Sequence, residues 1–73
     1  MIQFQVDEIY HFNDNDAVLA IVQCVEINKR VHLKILKSIW GAEPLVGFVI
    51  KIPLELAQKE CRSLTDLEKV KYL

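Results

Sequence analysis

The sequence predicts a mainly β domain: a small curled antiparallel sheet followed by a short helical segment at the C-terminus. Three observations carry this. Ile2, Phe4 and Val6 alternate with Gln3, Gln5 and Asp7, and a period of two marks a strand with one buried face. Three longer stretches, 17–27, 31–39 and 45–52, are rich in Val, Ile and Leu, and β-branched side chains favour extended backbone. Beyond Pro53 the pattern changes to helical spacing. With 73 residues, the chain suits a single domain over 1–73, strand-rich across 1–52 and helical across 53–73.

The alternation that starts at Ile2 breaks at Asp7 and Glu8, which predicts a bend, and resumes through Ile9, Tyr10, His11 and Phe12. Asn13, Asp14, Asn15 and Asp16 form a turn, because Asn and Asp bond to their own backbone and tolerate left-handed conformations. The next run is apolar on successive residues from Ala17 to Val22, so the start of this strand should be buried on both faces. A connection through Asn28, Lys29 and Arg30 pairs Ile27 with Val31, Val25 with Leu33 and Gln23 with Ile35. The opposite face then pairs Glu26 with His32 and Cys24 with Lys34. A one-residue slip would exchange the faces. A loop of this length places its last residue, Arg30, in left-handed backbone.

Trp40, Gly41, Ala42, Glu43 and Pro44 read as a loop, with Gly and Pro as breakers. Residues 45–52 read as a third long strand, with Phe48 in the core. Pro53 ends it and opens a helix over 54–61, since proline suits the first helical position. Leu54, Ala57 and Cys61 fall on one face of that helix. Thr65 and Glu68 have the spacing of a capping box, so a last helix should come next, with Leu67 and Val70 facing inward.

The order of these pieces resembles a Src-homology-3-like barrel: an acidic, aromatic first loop, three central strands, then a short helical turn. The resemblance spans roughly residues 6–56. It implies a fold and no activity or site residues.

Composition narrows the function. Net charge is −1, unevenly spread. Residues 1–27 carry five acids and no Lys or Arg, residues 28–51 carry five basic residues against Glu43, and the remainder balances. A dedicated nucleic-acid binder is usually basic overall. The central patch keeps that reading as the alternative, with Lys29, Arg30, His32, Lys34 and Lys37 as its candidates. The N-terminus has no basic lead and no continuous apolar run, and no stretch approaches the length of a membrane span. A cytoplasmic protein is expected. Its two cysteines, Cys24 and Cys61, read as buried reduced thiols; one disulfide between them is the alternative.

Chemistry-bearing motifs are sparse. A calcium loop counted from Asp14 needs Gly at its sixth position and Glu at its twelfth, where Leu19 and Val25 stand. His11, His32, Cys24 and Cys61 lack zinc-ligand spacing. Ser38 and Ser63 lie at no special turn, and the two glycines, Gly41 and Gly47, make no phosphate loop. No metal, cofactor or enzymatic activity is expected. The apolar fraction is 52%, against the usual 45–50% or so, while a chain this short hides only about 60% of its unfolded surface. Surplus apolar surface marks an interface. The expected function is therefore binding another protein, or another copy of itself as a homo-oligomer, by occupancy. Inhibitors, adaptors and immunity or antagonist proteins fit this class. Tyr10, Phe12 and Trp40, each beside a turn or loop, are the candidate anchors.

Overall fold

The computed structural model describes residues 2–73. Its strands are β1 (Ile9–Asp14), β2 (Val18–Ile27), β3 (Arg30–Trp40), β4 (Val49–Pro53) and β5 (Cys61–Ser63). Its helices are α1 (Leu54–Glu60), between β4 and β5, and α2 (Asp66–Tyr72) at the C-terminal end. All pairings are antiparallel, in the order β4-β3-β2-β1-β5. The expected mainly β fold with a C-terminal helix is therefore present, as an open sheet not closed into a barrel. The sheet nevertheless curls: Phe12 of β1 and Ile50 and Ile52 of β4 line one groove although the two strands do not pair. α1 packs against β1, β3, β4 and β5. It drives Ala57 into a core formed by Tyr10, Phe12, Val22, Cys24, Leu33 and Ile35, among others. No helix of the described residues is long and apolar enough to cross a membrane.

The β1–β2 turn obeys its residue chemistry. Asn15 and Asp16 both have positive φ, and Asn13 Oδ1 accepts from the Asp16 amide at 2.8 Å. In the β2–β3 hairpin, Ile27 faces Val31 and Glu26 faces His32 as expected. The register then slips. Cys24 pairs with Leu33, Gln23 with Lys34 and Val22 with Ile35, across a bulge at Val25. Such a bulge inserts one residue and inverts the inward parity of the strand beyond it. Without it, Gln23 would face the core and Val22 and Ala20 would face outward; with it, Ala20, Val22 and Cys24 are all buried. Arg30 has no left-handed backbone. The Asn28 side chain shapes the turn instead, accepting from the Arg30 amide at 3.1 Å and donating to Glu26 at 2.8 Å.

Four further expectations are corrected. Residues 2–6 form no strand. Ile2 and Phe4 do pack on the core, but the segment is pinned by side chains: the Gln5 amide donates to the Tyr10 hydroxyl at 2.9 Å, and Gln58 donates to the Ile2 carbonyl. The bend at Asp7 is present, with φ 75°. Residues 45–52 do not form one strand. Glu43–Leu45 is a 3-10 turn containing Pro44, Gly47 has φ 90°, and β4 begins only at Val49. Phe48 is accordingly 65% exposed rather than in the core. Helix α1 stops at Glu60, Cys61 opens β5, and Leu54 is exposed. The capping box of α2 forms as expected, but Leu67 and Val70 are 78% and 83% exposed, not inward.

One glycine is required by close approach. Gly41 has φ 73°, and a Cβ there would meet the Ala17 carbonyl oxygen at 2.5 Å.

Candidate functional site

A groove of about 450 Å3 opens on the inner face of the sheet. The β1–β5 pairing explains its position. Phe12 stands opposite Cys61, so the residues beyond that pair, Asp14 at the end of β1 and Glu60 at the end of α1, are brought together at the groove mouth. Apolar walls come from Phe12, Val18, Ile35, Ile50 and Ile52. Leu45, from the 3-10 turn, and Leu56, from α1, form its rims and are 37% and 42% exposed. Val46, Phe48 and Val49, close to Leu45 in the chain, are exposed as well.

The carboxyl pair gives this apolar groove one polar end. Burial, then the hydrogen bond and charge of Asp14, push the Glu60 carboxyl up to about 7. Two carboxyls in one partly desolvated place cannot both ionise cheaply. A cation arriving there would relieve the repulsion.

The sequence-derived anchors part company. Tyr10 and Phe12 are buried in the core rather than standing out as anchors, and Phe12 contributes only to the floor and wall of the groove. Tyr10 lies against Phe4, ring centroids 4.8 Å apart, and its hydroxyl is held by Gln5. Both rings fill the space under the curl, where their large area is worth most to a small core. Trp40 is 65% exposed, as an anchor requires. It pairs with Leu19 at the end of β3 and is not part of the groove.

The basic candidates largely do share a surface. Lys29, Arg30, Lys34 and Lys37 are exposed, and His32 is partly buried with Nδ1 3.7 Å from Glu26. Arg30, His32 and Lys34 alternate with the buried Val31, Leu33 and Ile35 and so lie on the outer face. Lys51 of β4 pairs with His32 and joins them. Lys37 lies beyond a register shift, opposite Ile21.

Both cysteines are free and buried. Burial, then the charges of Glu60 and Cys24, push the Cys61 thiol up to about 12, so it is a poor nucleophile. Among the described residues, no three His, Cys, Asp or Glu side chains are grouped to hold a metal ion.

Sequence reasoning missed the groove because its walls come from β1, β2, β3, β4 and α1 at once. The exposed turn from Leu45 to Phe48 did carry a signal. Pro44 and Gly47 bracket it, and a glycine inside an apolar run marks a break in a strand. Comparison with protein-family models, with curated proteins and with solved structures finds no match for this chain.

Proposed function

We propose that this chain is a small non-catalytic protein-binding module that acts by occupancy, in the manner of an inhibitor, adaptor or immunity or antagonist protein. The observation that carries this reading is the apolar groove with Leu45 and Leu56 standing exposed on its rims. A domain with a limited core gains from burying such side chains, so leaving them in solvent suits a surface completed by another chain. Trp40 is a second, separate anchor. A carboxyl raised by burial and a neighbouring carboxyl also occurs in acid–base catalysts. Here the pair lies at an open mouth beside Asn15, with apolar groups forming most of the remaining lining, which favours occupancy over turnover. The two buried free thiols suit a reducing, cytoplasmic setting.

The alternative is a nucleic-acid-binding surface on β3. Lys51 beside His32 favours it by widening the basic stripe. Glu26 at His32 and the lack of an exposed ring within the stripe weigh against it, since single-strand binders stack bases on aromatic side chains.

The test is affinity capture from the source cells with wild type and with Leu45→Asp and Phe48→Asp. Both residues are exposed, so melting should hardly change. A defined protein retained by wild type should bind roughly thirtyfold more weakly to the variants, the effect of losing an anchor worth about 2 kcal/mol. Retention unaffected by both changes, or no protein retained, rejects the reading.

A further inference from the structure

The chain carries an apolar groove on its sheet and, on a different element, a helix whose apolar side chains stand in solvent. On α2 and at its C-cap, Leu67, Val70 and Leu73 are 78%, 83% and 63% exposed. At about 100° per residue they form one slanting stripe, with Lys71 beside its Leu67 end and Lys69 beside its Leu73 end. The helix is also fastened away from its own groove. The Arg62 guanidinium in β5 donates to both Glu68 carboxylate oxygens at 2.7 Å, and the Thr65 capping box fixes the same turn. The first turn of α2 is thus tied to the β5 edge of the sheet, while the groove opens between β1, β4 and α1.

We propose that the chain self-associates by seating the Leu67, Val70 and Leu73 stripe of one copy in the groove of another, with Lys69 or Lys71 meeting the Asp14 and Glu60 carboxyls. Charge complementarity selects this occupant. The groove is apolar with an acidic end, and the helix carries its basic residues, Lys69 and Lys71, in its last turn, with Asp66 and the Arg62-paired Glu68 in its first. The seven residues of α2 span about 10 Å. The contact also covers surplus apolar surface at both places. This rests on the groove being a protein-binding surface and names the partner as a second copy.

The test is sedimentation equilibrium of the full chain at up to about 100 µM, where a micromolar contact is nearly saturated. Wild type should associate. Val70→Asp disables the helix, and Leu56→Asp disables the groove, with Leu45→Asp as the second groove variant. Each alone should weaken association about tenfold or more. Mixing the helix variant with a groove variant should restore a one-to-one complex, because each supplies the half the other lacks. Val70 is exposed enough that Val70→Asp leaves the fold intact. A monomeric wild type, association unmoved by Val70→Asp, or a mixture that stays monomeric overturns the proposal. If wild type is monomeric while Leu45→Asp still abolishes capture of a different protein, the groove reading stands and only the identity of its occupant falls.

Discussion

At the scale of single residues, Glu60 makes a pH dependence that can be read directly. Its folded carboxyl titrates at about 7, above its ordinary 4.5, because it is partly desolvated and faces Asp14. Between those values the folded state binds the proton and the unfolded state does not. Stability therefore falls as pH rises from about 4.5 to about 7 and changes no further above that. His11 works in the opposite direction, because burial and Arg62 lower its pKa. We expect Glu60→Gln to remove the fall while leaving the His11 contribution in place. Thermal melting of both proteins across this range checks it: the two curves should converge near the acid end and separate toward pH 7, with the variant the more stable. Parallel curves would show that folding does not raise the Glu60 carboxyl. Tyr10 and Phe12 teach a related lesson at this scale. Beside an acidic turn they resemble surface anchors, yet the curl of the sheet takes both into the core, with Phe12 at the wall of the groove.

Among the elements, α2 is stabilised by local chemistry and hardly at all by burial. The Thr65 hydroxyl accepts from the Glu68 amide at 3.1 Å, Glu68 accepts from the Thr65 amide at 2.9 Å, and Arg62 grips the same carboxylate. Arg62 first, then the Thr65 backbone, pulls the Glu68 carboxyl down to about 2. Its contribution is complete above the ordinary value of 4.5 and is lost as pH falls toward the folded value. We expect Thr65→Ala to cost about 1 kcal/mol of helix stability. Amide exchange across 66–72 should quicken while the protection of β2 and β3 is unchanged. Equal loss of protection in β2 would mean that α2 is coupled to the core. In β2 the Val25 bulge has the reverse character: no local signal requires it, and it lets Ala20, Val22 and Cys24 share the buried face with Val31, Leu33 and Ile35.

Over the whole molecule, the two surfaces differ in charge and in position. The inner groove is apolar with an acidic mouth, and the outer face of β3 and β4 is basic. If the basic face met phosphates, affinity for a single strand would fall steeply with salt, by a log–log slope of about −0.7 for each contact. We expect fluorescence anisotropy with a single-stranded oligonucleotide to register no binding at physiological ionic strength, about 0.15 M. Binding that persists there and disappears in the double variant Lys34→Glu, Lys51→Glu would reverse the ranking of the two functional readings.

The sequence by itself determined what depends on near neighbours. The β-branched runs made β2 and β3, the Asn and Asp cluster made the first hairpin turn, Pro53 ended β4, and Thr65 with Glu68 capped α2. Each arises from contacts within a few residues, where chain geometry leaves few choices. Only the tertiary structure decided what depends on which strand lies beside which. β5 is three residues with no periodicity of its own, and it exists because β1 has a free edge. Residues 2–6 alternate like a strand but find the Tyr10 hydroxyl and Gln58 instead of a partner strand. Phe48 reads as core yet stands in solvent, and Leu45 reads as strand yet lies in a 3-10 turn, because Pro44 and Gly47 turn the chain before β4 begins. Asp14 and Glu60 lie far apart in sequence and acquire their chemistry only when the β1–β5 pairing brings them to one mouth. Burial is a property of the closed sheet face, and no local pattern of apolar residues encodes which of them that face will have room to hold.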